Sequence, residues 1–302
     1  MPKPGWPVSN RRSPEGSRAV PDVFTHLISP HEVAALATPK WRIFDCRFNL
    51  ASPEAGRQAY AAGHLPGAFF LDLEDDLSGP RSGLNGRHPL PDPQLLADKL
   101  GSLGVGPETQ VITYDDAGGM FAARLWWLLR WLGHDRIAVL NGGLQAWTGS
   151  GHALVTEVPD TQPAPFTPIV QHCLRVDADY VQSHLHSPVM RLIDARAPDR
   201  FRGENETIDP VGGHIPGAIN RFFRDNLDGQ GLFKPAATLQ EEFGALIKGG
   251  DAHHVVLHCG SGVTACHNLL AMELAGLSGA RLYAGSWSEW CSDPARPVAT
   301  GP

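Results

Sequence analysis

The chain repeats itself. GHLPGA at residues 63–68 returns as GHIPGA at 213–218. IFDCR (43–47) leads into the first copy as LIDAR (192–196) leads into the second, and VITYDDAGG (111–119) follows as VVLHCGSGV (255–263) does. Further on, VLNGGLQAW (139–147) matches RLYAGSWSEW (281–290). Matching positions lie 149 apart at Asp45 and Asp194, 150 at His64 and His214, 144 at Asp115 and Cys259, and 143 at Trp147 and Trp290. The order is constant, and the spacing drifts as loop lengths would make it. The 302 residues are therefore a tandem duplication of a unit of about 130 residues, long enough for each copy to bury its own core.

The seam between copies is TEVPDTQPAPFTPIVQH (156–172), with four prolines and no periodic pattern. It is expected to be an extended, stiff linker. This sets a first domain at 22–155 and a second at 173–302. Residues 1–21 hold five prolines and no apolar core of a secretory signal. They are expected to be a disordered extension.

Within each unit, short apolar runs alternate with helical stretches. RIFDC, AFFLDL, QVITY and IAVLN in the first half, and VMRLID, AINRF, HVVLHC and ARLYAG in the second, end in turn or polar residues, as buried parallel strands do. PDPQLLADKLGSLG (91–104) opens with Pro93 and closes with Gly104, a helix with both punctuation marks. MFAARLWWLLRWLG (120–133) is apolar nearly all round and must be deeply buried. TLQEEFGALIKGG and TACHNLLAMELAGL are the second domain's helices. The expected fold is α/β: two domains, each a parallel sheet with helices on both faces, joined by right-handed crossovers. Such sheets bind ligands where strands end and helices begin.

Composition closes off several functions. A formal charge of −7 argues against a general nucleic-acid binder. No apolar run reaches the ~18 residues of a membrane span. The five cysteines, 46, 173, 259, 266 and 291, are odd in number and scattered, which fits free thiols in a reducing compartment, with the cytoplasm as the expected location. Neither a dinucleotide fingerprint nor a phosphate-binding loop is present, so no cofactor is expected.

The strand VVLH ends on Cys259, and Gly260, Ser261, Gly262, Val263 and Thr264 lead from it into a helix. Two glycines let successive N–H groups converge on one point, and the helix start adds its positive dipole end. A thiolate placed there is expected to form well below the free value of about 8.5. Two readings of the residues stand side by side: a nucleophile, or a buried structural cysteine. A cysteine phosphatase would need an arginine six residues on, where Ala265 stands. The pairs His258–Cys259 and Cys266–His267 are spaced wrongly for zinc, so no metal is expected. Redox pairing of Cys259 with Cys266 requires a close approach that sequence does not give.

Taken together, the paired Asp-X-Arg elements, GH[LI]PGA and the cysteine loop resemble the rhodanese superfamily in its tandem form, over residues 22–298. The loop CGSGVTA is similar to that of 3-mercaptopyruvate sulfurtransferases; thiosulfate-preferring members typically carry basic residues there. The resemblance implies that Cys259 takes a sulfur atom as a persulfide and hands it to a thiol such as thioredoxin, a small thiol or cyanide. It implies that Ser261 and His64 relay a proton near the nucleophile, with Glu54 the acid nearest His64. It implies that Arg200 binds the donor's carboxylate and that residues 260–264 bind the anionic sulfur. It implies that the first domain, with Asp115 in the cysteine's place, is inactive and forms a wall of the cleft. His88, in GRHPLPD, falls in a segment of the family expected to line that cleft. A second substrate arginine expected about nine residues after Arg200 is replaced by Ile208 and Asp209; Arg202 or Arg221 could take its place.

Overall fold

The computed structural model describes residues 23–302. The expected disordered extension, 1–21, lies outside them. The first domain runs β1 (Leu27–Ile28), α1 (Pro30–Leu36), β2 (Arg42–Asp45), α2 (Glu54–Ala62), β3 (Ala68–Phe70), α3 (Pro93–Ser102), β4 (Val111–Tyr114), α4 (Ala122–Trp131), β5 (Ile137–Leu140) and α5 (Gly143–Gly149). The second runs β6 (Arg175–Val176), α6 (Ala178–Ser183), β7 (Arg191–Asp194), α7 (Pro198–Arg202), β8 (Ile219–Asn220), α8 (Ala236–Ile247), β9 (Val255–His258), α9 (Thr264–Leu274), β10 (Arg281–Tyr283) and α10 (Ser286–Trp290).

Each domain is a five-stranded, wholly parallel sheet. The orders are β1-β5-β4-β2-β3 and β6-β10-β9-β7-β8, the same topology twice. Eight of these strands are the apolar runs seen in the sequence. The edge strands β1 and β6 were not among the expected elements. They are two residues long and form only where β5 and β10 offer them a partner.

Local chemistry sets the helix ends. Asp92 caps α3, its carboxylate accepting from the N–H groups of Gln94 and Leu95. Pro93 takes the first helical position and Gly104, at φ +84°, follows the end. Helix α4 is buried on every side except at Arg130. It packs against α9 of the second domain, so the two domains share one continuous apolar core. Each large side chain on α4 contributes about 1.5–3 kcal/mol by leaving water, which makes this contact a fixed one.

The duplication is visible atom by atom. Arg47 Nη2 donates to Asp45 Oδ2 at 2.6 Å and to Gly63 O at 2.8 Å; Arg196 Nη2 donates to Asp194 Oδ2 at 2.7 Å and to Gly213 O at 2.6 Å. These buried pairs tie the end of β2 or β7 to the GH[LI]PGA turn. Residues 156–171 form no regular element. They run along the first domain, held by Ala164 N to Gly101 O (2.9 Å) and Ile169 N to Leu132 O (2.9 Å).

Candidate active site at the domain interface

Strand β9 delivers Cys259 to the carboxyl edge of the second sheet, and the chain turns through 260–263 into α9. The turn is built around Gly262, at φ +75°, where a Cβ would stand 2.3 Å from Ala284 O. Cys259 N donates to Ser286 Oγ at 3.1 Å, and Trp287 N and Ser288 N close on Cys259 O and Gly260 O at 3.0 and 2.9 Å. Ser286 itself holds φ +56°, a strained conformation for a serine, and its hydroxyl donates on to Tyr283 O at 2.9 Å. The N–H groups of residues 260–264 have no protein acceptor among the described residues.

The first domain shows what such a loop does when filled. Asp115 stands where Cys259 does, and its carboxylate accepts from Ala117 N and Gly119 N through Oδ1 (both 2.8 Å) and from Phe121 N and Ala122 N through Oδ2 (2.8 and 2.9 Å). Four N–H groups converge on an internal anion. In the second domain the matching N–H groups of Ser261 and Val263 are left for an external one, while Cys266 N turns to Val263 O at 3.1 Å.

Above Cys259 lies a cavity of about 210 Å³ between the domains. Phe48, Leu73, Met120 and Phe121 of the first domain and Phe222 and Phe223 of the second make it largely apolar. Cys259, Gly260, Ser261, Val263, Thr264 and Arg200 all line it. Gly262 does not. Its carbonyl is turned away to Arg124 Nη1 at 3.1 Å, and its task is the turn itself.

His64 is the main correction. It is wholly buried in its own domain, stacked 3.9 Å on Tyr60, with Nδ1 on Tyr60 O (2.8 Å) and Nε2 on Glu157 O (3.1 Å). His214 repeats the arrangement on Phe201, at 3.8 Å and with Nδ1 on Phe201 O. The GH[LI]PGA histidine stacks and pins a turn in both copies, and neither His64 nor Glu54 reaches the cavity. The histidine that does is His88, whose Nδ1 lies 2.8 Å from Ser261 Oγ. Burial, helped by the charges of Arg124, Arg87 and Arg81, pushes its pKa down to about 3, so the ring is neutral. Glu74 Oε1 is 3.7 Å from Nε2, too far for a hydrogen bond, and Nε2 has no partner among the described residues.

The second cation is also elsewhere than expected. Arg202 pairs with Glu204, and Arg221 with Glu242 and Asn226; neither lines the cavity. Arg87 of the first domain does, one residue before His88. Its Nη1 pairs with Asp209 Oδ1, and Arg200 Nη2 reaches Asp209 Oδ2 at 3.2 Å and Glu206 Oε1 at 2.8 Å. A Cβ on Gly260 would meet Arg87 Nη2 at 2.9 Å and both Arg200 terminal nitrogens at 3.7 Å. Two guanidiniums, one from each domain, thus converge on the cysteine loop and share one carboxylate. Sequence adjacency to His88 was the only signal for Arg87.

A doubled parallel α/β unit, with a strand-to-helix cysteine loop in one copy and a filled loop in the other, defines a tandem protein of one family. The family model for the rhodanese-like domain matches residues 29–150 and 177–293, and the chain belongs to that family. It is 51% identical over 278 residues to a probable 3-mercaptopyruvate sulfurtransferase of Pseudomonas aeruginosa, covering 91% of this chain and 98% of the relative. It is 35% identical to thiosulfate sulfurtransferase of Bos taurus, over 89% of this chain and 91% of that one. Its fold matches the 3-mercaptopyruvate sulfurtransferase from Leishmania major with a TM-score of 0.77 at 32% identity, over 88% of this chain and 74% of that structure.

Proposed function

We propose that the protein is a sulfurtransferase that takes sulfur from 3-mercaptopyruvate onto Cys259 and passes it to a thiol. The observation that carries this reading is Cys259 on the floor of an interdomain cavity, beside the Ser261–His88 pair and beneath Arg87 and Arg200. The relatives named for mercaptopyruvate and thiosulfate sulfur transfer support it.

In the first half-reaction the Cys259 thiolate attacks the donor sulfur. The S–S bond forms as the carbon–sulfur bond breaks, and its electron pair leaves with the three-carbon fragment as the enolate of pyruvate. The proton of the donor thiol passes through Ser261, hydrogen-bonded to neutral His88, to the enolate carbon. Pyruvate and the Cys259 persulfide anion result. The free N–H groups of 260–264 stabilise that anion as an oxyanion hole stabilises oxygen. A second thiol, from thioredoxin or a small molecule, then attacks the outer sulfur and restores Cys259. The first domain forms no persulfide of its own in this scheme, because an aspartate cannot carry sulfane sulfur, but it supplies His88 to the relay.

Donor choice follows from charge. Arg87 and Arg200 are balanced by Asp209 and Glu206, so the group facing the donor carries no net charge. A single carboxylate can enter by sharing the two guanidinium forks, whereas a dianion lacks a matching excess of cations. Thiosulfate is the alternative donor on the same persulfide chemistry. No helix among the described residues is long and apolar enough to cross a membrane, and a cytoplasmic site of action is part of this proposal.

Steady-state transfer to cyanide and to a dithiol, comparing the two donors, tests the reading. The expected outcome is a kcat/KM ratio in favour of mercaptopyruvate and complete loss with Cys259→Ser. A thiosulfate preference would reverse the donor assignment, and turnover surviving in Cys259→Ser would sink the mechanism.

A further inference from the structure

Among the described residues, Arg124 is a buried cation without an acid. It sits on α4 of the first domain, fully enclosed. Nη1 donates to Gly262 O in the cysteine loop at 3.1 Å, and Nη2 to His88 O at 3.1 Å. Leu77 O and Pro89 O lie at 3.4 and 3.5 Å, and Nε has no partner among the described residues. Carbonyl oxygens satisfy part of the guanidinium's hydrogen bonding but supply no counter-charge. An unpaired charge in such surroundings is costly and does not persist without a compensating group.

The groups around the cysteine loop narrow the choice of that compensating group. Arg87 is held by Asp209, Arg196 by Asp194 and Glu206, and Arg200 by Glu206 and Asp209. His88 is neutral, its pKa pushed down to about 3. His258 on β9 and His267 on α9 are pushed down by burial, His267 to about 4. Cys266, one turn into α9 with Sγ 3.3 Å from Gly262 O, is pushed up to about 12 by burial and stays a thiol. On α10, burial pushes the Glu289 carboxyl up. The arginines lining the cavity therefore have carboxylates and the buried rings are uncharged. Among the described residues Arg124 meets no carboxylate; of the two sulfurs beside it, Cys266 is the nearer influence but burial keeps it a thiol, which leaves the sulfur of Cys259 as the charge that can answer it.

We propose that Arg124 is a positioning residue for sulfur transfer: a cation supplied by the first domain, bonded to the Gly262 carbonyl, that holds the sulfur of Cys259 in the second domain in its anionic form. The inference rests on Cys259 being the reacting sulfur, as proposed above. It also gives the first domain a task, since a lone second domain would lack both this charge and His88.

The test is the pH dependence of iodoacetamide alkylation at Cys259 in the full chain, read by peptide mass spectrometry so that Cys173 and Cys291 do not enter. Arg124→Met removes the charge at similar length; Arg124→Lys keeps it and gives up most of the carbonyl bonds. The expected result is an alkylation midpoint raised by about one pH unit in Arg124→Met, the scale of one partly screened charge. In Arg124→Lys the midpoint should stay near the wild-type value even if the variant unfolds more easily. An unchanged midpoint in folded Arg124→Met, or one in Arg124→Lys raised as far as in Arg124→Met, overturns the proposal. Should Arg124→Met fail to fold, Arg124→Lys decides alone: a midpoint held while the urea midpoint falls supports the charge, and a raised one refutes it. No sulfur donor enters this measurement. A wild-type protein that forms no persulfide with either donor would therefore defeat the sulfur-transfer reading separately.

Discussion

At the scale of single residues, the contact between His88 and Ser261 is where the first domain meets the cysteine loop's hydroxyl. Ser261 belongs to the cysteine loop and His88 to a turn of the other copy, 2.8 Å apart. A neutral imidazole can accept the serine proton and return it, whereas an imidazolium could only donate. Burial and three neighbouring arginines keep His88 neutral, its pKa near 3. Replacing His88 by Asn keeps a polar side chain of similar reach but removes the proton exchange. We expect kcat to fall by about two orders of magnitude, the usual scale for losing one positioned acid–base group, with KM changing little. The kcat profile of the wild-type protein should show no titration of His88 between about pH 5 and pH 8, a window that lies well above its shifted pKa. Full activity in His88→Asn would remove it from the reaction and leave it as a packing group against Phe48.

Among elements, the two strand-to-helix loops show one fold of backbone serving opposite ends. Gly118 and Gly262 adopt φ +76° and +75° at matching positions. In the first domain Asp115 fills the ring of N–H groups, and in the second Ser261 N and Val263 N have no acceptor among the described residues. Asp115→Ala would leave four buried N–H groups without acceptors. Even with partial relaxation this should cost about 3 kcal/mol, seen as an earlier urea transition of the first domain. A loss under about 1 kcal/mol would mean that water replaces the carboxylate at little cost. The strands, the long helices and the cysteine loop could be read from the sequence because each is a local pattern: a period, a cap, a glycine pair. His64 misled because its relay role came from the resemblance, whereas the recurrence of its turn as His214 in the second copy was itself the mark of a structural role. Which turn of the first domain faces the second is a relation between elements distant in sequence, and no local pattern encodes it. Arg124 carried one usable signal, a charge inside a helix that is otherwise apolar on nearly every side.

Across the whole molecule, the contact between domains is laid out so that acid should part it. His267 on α9 bonds through Nε2 to Gly118 O of the first domain at 3.0 Å and stacks 4.4 Å on Phe233. His88 lies at the same seam. Burial is the first cause for each ring, pushing His267 to about 4 and His88 to about 3, and it lowers His134 and His258 as well. In the unfolded chain all four return to the ordinary value of 6.5. Below that pH the unfolded chain binds protons that the folded one refuses, so folding stability must decline as pH falls from about 6.5 towards 3. Glu273 adds a second stage. Burial alone would raise its pKa, but the His26 contact, the charge of Arg130 and the Ser278 hydroxyl outweigh it and bring it to about 2, against 4.5 when free. The stability it contributes is complete above 4.5 and is lost as pH falls through about 2, and it acts between domains because His26 and Arg130 belong to the first and Glu273 to the second. The unfolding free energy should therefore drop between pH 7 and pH 5, before ordinary carboxylates titrate, by up to about 1.4 kcal/mol per pH unit for each histidine involved, and the urea midpoint should fall with it. His267→Gln should flatten that slope, and Glu273→Gln should weaken the loss below pH 4.5 while leaving the upper stage in place. A midpoint level from pH 7 to pH 5 would show that these rings take up protons without unfolding the chain, and the seam would then not be the acid-sensitive part of the molecule.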